Sequence, residues 1–192
     1  MLTDPETATL DELIGLAWEL LADGVSRRNA PFHTPVLATL AEHGADARTV
    51  VLRAADAQSR QLICHTDARS PKVIQLTDNP GVTWVFYDPE QKIQLRLRGP
   101  VSLHDNDELA TRRWDDSTPS SRQCYANSPH PGARIEQPES VNTLNEPHAY
   151  RNFQVICCQV QHLDWLFLSS KQHRRAHFSW RDDGWQAGWL AP

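Results

Sequence analysis

From residue 35 onward the sequence is a series of short runs rich in Val, Ile, Leu and Thr, and turn-like stretches separate these runs. The clearest runs cover 35–44, 48–56, 60–66, 81–88, 92–104, 153–168, 174–180 and 184–190. Runs of this length and spacing are typical of a β-meander or a β-barrel. We therefore predict a mostly β protein of the α+β class, in which helices are a minority.

Apolar spacing predicts three helices. Residues 5–22 repeat apolar side chains at helical intervals, with Asp4 as the predicted cap and Gly24 as the predicted end. Shorter helices are predicted at about 70–79 and about 105–115.

Residues 117–150 have a different composition, rich in Pro, Ser and Asn. The prolines in this stretch are Pro119, Pro129, Pro131, Pro138 and Pro147. A long irregular segment of this kind is usually a lid, a partner-binding arm or disordered. We predict one domain over 1–192, with 117–150 as an irregular excursion.

Charge and composition exclude several classes of protein. The 192 residues include 19 Lys and Arg against 24 Asp and Glu, a net charge of −5, which argues against nucleic-acid binding. No apolar run approaches the ~20 residues of a membrane span, and the first residues lack a basic signal region. We therefore expect a cytoplasmic protein without membrane or nucleic-acid partners.

The four cysteines include no CxxC pair, which favours reduced, structural thiols. Cys157 and Cys158 are adjacent, so they are expected on opposite faces of a strand. His173 and His177 have the spacing of a helical metal pair, but they lie in a strand-like run. We predict no metal site.

A phosphate cradle is one interpretation of the segment that follows the third run. A strand ends near Thr66, and a helix begins at Ser70 with Pro71 in its first turn. Such a helix start offers free N–H groups, and Arg69 and Lys72 add positive charge. The alternative is a capped surface helix beside a basic pair.

Other polar residues on the predicted strands allow two interpretations each. Arg48 and Arg53 bracket the run RTVVLR, either at a ligand or as solvated strand ends. Gln94 shares a strand face with two arginines, which a solvated face also explains. Trp165 and Arg175 are ten positions apart and are either a pair that holds a planar ring or a core Trp with a surface Arg.

Taken in order, these motifs match a known family. They are RTVVLR, LICHTDARSPK, a strand that ends in FYDP, QLRLRG, a helix with Trp114, and a closing block with Trp165, Arg175 and WLAP. From about Pro35 to Pro192 the chain resembles the pyridoxine/pyridoxamine 5′-phosphate oxidase family of FMN-binding split β-barrels. It looks closest to the oxidase-related branch of that family.

The resemblance implies an FMN site between the two subunits of a homodimer. The implied cofactor residues are Arg48, Thr49, Val50, Val51, Leu52, Arg53, His65, Thr66, Arg69, Ser70, Lys72, Gln94, Trp165 and Arg175. In this assignment Thr66, Ser70 and Lys72 hold the phosphate and ribityl chain, and Arg69 replaces a guanidinium that the family has at Pro71.

The substrate half of the implied site departs from the family pattern. Arg53 stands where the family oxidase has Lys, and Thr118 stands where it has the arginine that clamps the substrate phosphate. The residues expected to line an altered pocket for a small-molecule substrate are Trp114, Arg122, Tyr125, Lys171 and His173.

The resulting function hypothesis is an FMN-dependent oxidoreductase that resembles pyridoxamine 5′-phosphate oxidase. No catalytic side chain is assigned, because a bound flavin carries the redox chemistry itself. One alternative is a split barrel that binds FMN or a haem-type ligand without turnover. Another is a flavin-free interaction module that uses 117–150 as its contact.

Overall fold

The computed structural model describes residues 4–138, 142–143 and 145–192. Its helices are α1 (Leu10–Ser26), a 3-10 turn (Pro31–His33), α2 (Pro71–Asp78), α3 (Glu108–Asp115), α4 (Pro119–Gln123) and α5 (Glu146–Asn152). Its strands are β1 (Val36–Ala41), β2 (Gly44–Thr49), β3 (Ala54–Asp56), β4 (Gln61–Asp67), β5 (Gly81–Asp88), β6 (Ile93–His104), β7 (Asn127–Ser128), β8 (Asn142–Thr143), β9 (Phe153–Gln159), β10 (His162–Phe167), β11 (Arg174–Arg181) and β12 (Gly184–Leu190).

Strand β6 is the centre of the architecture because it belongs to two ladders. The main antiparallel order is β12-β11-β10-β6-β5-β1-β2. The last residues of β6, Val101 to His104, pair instead with β9, which pairs with β4 and through it with β3. This branching produces a split barrel, so the predicted fold class is confirmed.

Alternation along the strands defines two hydrophobic clusters. The larger cluster fills the barrel and includes the fully buried Trp84, Leu95 and Trp165. The smaller cluster lies on the other side of β4 and β9, around Phe153. Cys158 belongs to the larger cluster and Cys157 to the smaller one, as predicted for adjacent strand residues.

The first helix begins and ends later than the sequence pattern suggested. Thr9 caps α1 in a reciprocal capping box with Glu12, whereas Asp4 belongs to a preceding turn. Gly24 does not end the helix, which continues to Ser26. A Cβ at Gly24 would lie 2.7 Å from the carbonyl atoms of Phe32, so glycine serves close packing there.

The two shorter predicted helices exist, with one corrected boundary. Helix α2 starts at Pro71, as predicted, while α3 starts at Glu108 rather than near 105. The reason is Asp107, whose carboxylate accepts a 2.8 Å hydrogen bond from the backbone N–H of Ala110 and so caps the helix. No helix in the described ranges is both long enough and apolar enough to cross a membrane.

The predicted irregular excursion over 117–150 contains regular structure, which corrects the sequence interpretation. Helices α4 and α5 both lie in it, and β7 pairs with β8. Pro119 and Pro147 occupy first-turn positions, where the missing N–H costs no helical hydrogen bond. Residues 139–141 and 144, also within the predicted excursion, lie outside the described residues.

The run from Arg48 to Arg53 is not one continuous strand. Only Arg48 and Thr49 belong to β2, and residues 50–53 connect β2 with β3. This connection is hydrogen-bonded next to β1 at one end and to β4 at the other. The Val50 N–H donates to the Pro35 carbonyl, and the Arg53 N–H donates to the Ile63 carbonyl. The segment is therefore extended and hydrogen-bonded at both ends, although it belongs to no strand.

Candidate functional site

Three residues of the predicted cradle meet where β4 turns into α2. The Lys72 ammonium donates to Thr66 Oγ1 at 3.1 Å and to Ser70 Oγ at 3.0 Å. The two hydroxyl oxygens are 3.1 Å apart, and Ser70 also donates to the Asp67 carbonyl at 2.7 Å. We call Thr66, Ser70 and Lys72 the hydroxyl–lysine cluster.

Lys72 forms no ion pair within the described ranges, although the charges of Asp67 and Asp46 act on it from farther away and partly raise its pKa. Among the residues that the structure describes, no carboxylate oxygen lies within 4.0 Å of its ammonium. Burial, and secondly the nearby charge of Arg48, lower the pKa of Lys72. The ammonium also lies beside the positive end of the α2 dipole. Such surroundings favour an anion, which would supply a counter-charge in direct contact with the ammonium.

Arg48 contributes positive charge to this region, but its guanidinium already has partners. It donates to Thr39 Oγ1 at 2.7 Å and to Gln75 Oε1 at 3.2 Å, and it pairs with Asp46 at 2.5 Å. Gln75 in turn donates to Asp46 at 3.0 Å. Sequence reasoning missed Asp46 and Gln75. Alternation along a strand does not indicate that Gln75, in α2, contacts Arg48 and Asp46.

Arg69 is placed away from the hydroxyl–lysine cluster. Its guanidinium binds both carboxylate oxygens of Asp67, at 3.0 and 2.7 Å, and donates to the Asn127 carbonyl at 2.9 Å. The suggestion that Arg69 replaces the guanidinium missing at Pro71 therefore finds no contact in the described structure.

His65 points to the other side of β4 from Thr66, as alternation requires. Its ring packs edge-on against Phe153 with centroids 4.9 Å apart, and its Nε2 is buried without a hydrogen-bond partner among the described residues. Burial, followed by the charges of Arg53 and Arg113, lowers the pKa of His65 to about 3. His65 is thus a neutral group beside the smaller hydrophobic cluster and not part of the hydroxyl–lysine cluster.

A cavity of about 190 Å³ opens beside His65, and we call it the arginine pocket because Arg28, Arg53 and Arg113 line it. None of these guanidinium groups forms an ion pair within the described ranges. Further polar residues on its wall are His33, Asp116, Ser117, Thr118 and Ser121. Sequence reasoning missed Arg28, which follows α1, and Arg113, which lies in α3. Both are far from Arg53 in sequence, so no local motif connects them with it.

A third group of residues lies on the outer face of the main sheet, the face opposite the barrel core. Gln94 and Arg175 both stand across from Leu166 in the ladders of β10 and therefore share this face. Trp165 points the other way and is 0% exposed, so it lies in the core behind this face. The separation of ten residues thus places Trp165 and Arg175 on opposite sides of the sheet.

Arg175 has an acidic partner that the sequence did not indicate. Asp164 accepts hydrogen bonds at 2.8 Å from both Arg175 and Arg96. Burial raises the pKa of Asp164, but the two arginines more than offset this effect and hold the pKa below its ordinary value. The outer face therefore carries a fixed, ionised cluster around Asp164.

The predicted substrate residues fall into two separate places. Trp114 and Tyr125 pack into the smaller cluster, where burial raises the pKa of the Tyr125 hydroxyl. Arg122 lies over the Trp114 ring at 5.1 Å and pairs with Glu146 at 2.8 Å. Lys171 and His173 lie in the exposed connection between β10 and β11. The described contacts do not join these two places.

Comparisons with known proteins agree with this architecture. The family model described as "Pyridoxamine 5′-phosphate oxidase, FMN-binding domain" matches residues 16–105. A pyridoxine/pyridoxamine 5′-phosphate oxidase of Deinococcus deserti is 29% identical over 159 residues, which cover 76% of this chain and 72% of that protein. One from Hyphomonas neptunium is 26% identical over 198 residues, covering 96% and 86%.

Two solved structures show the same fold along nearly the whole chain. A pyridoxamine 5′-phosphate oxidase-related, FMN-binding protein of Nostoc punctiforme superposes with a TM-score of 0.77 at 22% identity, covering 97% of this chain and 99% of that one. PhzG of Burkholderia lata, solved with tetrahydrophenazine-1-carboxylic acid, gives 0.72 at 18% identity, covering 94% and 92%. The fold therefore defines a split-barrel protein of the α+β class. The family model and the relatives show that the chain is similar to pyridoxamine 5′-phosphate oxidases and their FMN-binding domain, the resemblance that the motifs predicted.

Proposed function

We propose that this protein is an FMN-dependent oxidoreductase, that it works as a homodimer, and that its small-molecule substrate carries an anionic group. The observation that carries the flavin assignment is the hydroxyl–lysine cluster. Lys72 holds a half-buried charge on two hydroxyls with no ion pair in the described chain. A phosphate monoester would accept a hydrogen bond from the Lys72 ammonium and neutralise its charge, while the Ser70 hydroxyl keeps its hydrogen bond to the Asp67 carbonyl.

The residues present fit the phosphate end of FMN. Thr66 and Ser70 are buried, so the Lys72 ammonium is the part of the cluster that a ligand would reach first. Ammonium and hydroxyl donors beside a helix start are the donor set that phosphate groups prefer. Arg48 adds a second positive charge close by while keeping its own partners.

The homodimer is supported by the placement of the implied flavin residues on two sides of the sheet. Arg48 stands across from the buried Leu37 and so lies on the core side, as does the cluster near it. Gln94 and Arg175 lie on the outer face. One flavin would meet both groups most directly if a second copy of the chain supplied one of them.

The arginine pocket supports an anionic substrate. Arg28, Arg53 and Arg113 line a cavity of about 190 Å³ together with one carboxylate, Asp116, and among the described residues no carboxylate lies within ion-pair distance of the three guanidinium groups. Like charges gathered in a partly enclosed space repel each other, and a bound phosphate or carboxylate would relieve that repulsion. Arg28 and Arg113 would then take the role of the arginine that Thr118 replaces.

When bound, FMN supplies the hydride-accepting chemistry of such a site. The side chains of the chain then have to bind and orient: the hydroxyl–lysine cluster would hold the phosphate end, and the arginine pocket would hold the anionic end of the substrate. No side-chain base is required for this division of roles, and none is assigned.

The flavin proposal is tested with Lys72→Met, which keeps the length of the side chain and removes its charge. Loss of hydrogen bonds from a charged group costs about 1.5–3 kcal/mol, so the Kd for FMN is expected to rise about 10- to 150-fold. Arg112→Met is the matched control, because Arg112 is exposed on α3. Equal Kd values for the wild-type protein and Lys72→Met would contradict the proposed phosphate site.

Turnover is tested on the FMN-loaded protein by anaerobic bleaching of the flavin absorbance. We expect reduction by a phosphorylated substrate such as pyridoxine 5′-phosphate, weaker reduction by pyridoxine, and loss of this difference in Arg113→Met. FMN that binds tightly but is not reduced by any anionic donor would instead indicate the alternative hypothesis, a split barrel that holds its ligand without turnover.

A further inference from the structure

Away from the hydroxyl–lysine cluster and the arginine pocket, the second half of β6 carries a serine and a histidine on the same face. Ser102 and His104 are two residues apart in a strand, so their side chains point to the same side. Ser102 Oγ lies 2.7 Å from His104 Nε2, and His104 Nδ1 lies 2.7 Å from Asp107 Oδ2. The three side chains therefore form a continuous serine–histidine–aspartate network.

The proton arrangement of this network follows from Asp107. Its hydrogen bond with Ala110 N–H, which caps α3, and further its contact with His104 lower the pKa of the Asp107 carboxyl, so it is ionised at neutral pH. An ionised carboxylate only accepts, so His104 must donate from Nδ1. In the neutral imidazole, Nε2 then carries the lone pair and accepts the hydroxyl proton of Ser102. This is the orientation in which a histidine acts as a general base toward serine.

Ser102 is exposed and lies at a depression of about 200 Å³ whose wall also includes Gln61, Pro100, Cys157 and Gln159. Cys157 stands directly across from Ser102 in the ladder of β6 and β9. Burial raises the pKa of the Cys157 thiol more than its hydrogen bond with Ser102 lowers it. The thiol therefore stays protonated at neutral pH, and Ser102 is the nucleophile that a base addresses.

We propose that Ser102 is a nucleophile for acyl transfer, with His104 as its general base and Asp107 as the residue that orients His104. In this reaction Ser102 Oγ attacks the carbonyl carbon of an ester, and His104 Nε2 takes the hydroxyl proton. The bond from the carbonyl carbon to the alcohol oxygen breaks, and His104 returns the proton to the departing oxygen. The products are acyl-Ser102 and the free alcohol, and water releases the acyl group by the same steps.

The network defines the substrate class. It supplies a nucleophile and a base, which together contribute general-base catalysis, whereas stabilising a poor leaving group needs further donors. We therefore assign small esters with readily departing groups, such as aryl acetates, whose acyl part matches the small depression. The activity is independent of the proposed flavin chemistry, because none of its residues belongs to the hydroxyl–lysine cluster or the arginine pocket.

The experiment treats the purified full-length protein with p-nitrophenyl acetate and follows p-nitrophenolate release together with the intact mass. In samples quenched with acid during the first turnover, before water releases the acyl group, we expect one acetyl group per chain, located on Ser102 by tandem mass spectrometry. Ser102→Ala should remove this label, and His104→Gln should slow acetylation about 100-fold. Asp107→Asn should also slow it while keeping a good helix cap. Ser26→Ala, which alters another exposed serine, should leave the rate unchanged.

An acetyl group found only at other residues, or a rate in His104→Gln equal to that of the wild-type protein, would overturn the proposal. Melting temperatures and FMN uptake report whether each variant keeps its fold. A second reagent keeps the test valid if a variant unfolds: diisopropyl fluorophosphate is applied to the wild-type protein alone. Modification of Ser102 is then expected, and its absence after prolonged exposure would count against an activated serine.

Discussion

His65 is predicted to make the stability of the protein fall between pH 7 and pH 5. Burial, with the charges of Arg53 and Arg113, lowers the pKa of His65 from 6.5 to about 3 in the folded state. The unfolded chain keeps the ordinary value, so below pH 6.5 it binds a proton that the folded protein does not bind. The stabilisation is complete above pH 6.5 and is lost progressively as the pH falls toward 3.

The magnitude follows from the distance in pH below the unfolded pKa. A pH of 5 is about 1.5 units below the pKa of the histidine in the unfolded chain. At 1.36 kcal/mol per unit, protonation of the unfolded chain then lowers the free energy of unfolding by about 2 kcal/mol. His65→Phe removes the titrating group and keeps a ring against Phe153, with which His65 now packs at 4.9 Å. This variant should therefore lose about 2 kcal/mol less than the wild-type protein over the same interval.

Urea denaturation at pH 7 and at pH 5 measures this difference, because other titrating groups contribute equally to both proteins. His43→Phe is the control, since the side chain of His43 is 88% exposed and should follow the wild-type protein. If His65→Phe and the wild-type protein lose the same free energy of unfolding, the histidine is not held neutral by its surroundings and the reasoning fails.

Two further predictions concern packing. Gly99→Ala should prevent stable folding, because its Cβ would lie 1.8 Å from the Gln159 carbonyl oxygen. The control Gly188→Ala should fold normally, because no atom lies within 4 Å of the added Cβ. Expression yield and melting temperature check both variants, and a folded Gly99→Ala would contradict the close approach of the two backbones. Phe153→Ala should lower the free energy of unfolding by about 3–5 kcal/mol, because Phe153 is 1% exposed. The control Ile135→Ala should lower it by less than about 0.5 kcal/mol, because Ile135 is 42% exposed. Urea denaturation measures both losses, and similar values would refute the assignment of Phe153 to a packed cluster.

The hydroxyl–lysine cluster was accessible from sequence because it is local. A strand that ends at Thr66 and a helix that begins after Ser70 bring residues within six positions together through backbone geometry alone. The same holds for the adjacent cysteines and for the start of α2. The helix and strand boundaries predicted at Asp4, Gly24 and Val50 were wrong. Each boundary depends on which of several competing hydrogen bonds the backbone forms, and the sequence of one segment does not contain that information.

The sequence by itself determined the class of fold, the family motifs and the local cluster at the start of α2, because these follow from alternation, turn chemistry and short-range spacing. Tertiary structure decided the rest. It brought Arg28 and Arg113 to Arg53, paired Asp164 with Arg175, and turned Trp165 into the core. Each outcome depends on strand register and on how helices pack against the barrel, and these are set by the burial of the whole core rather than by any one motif.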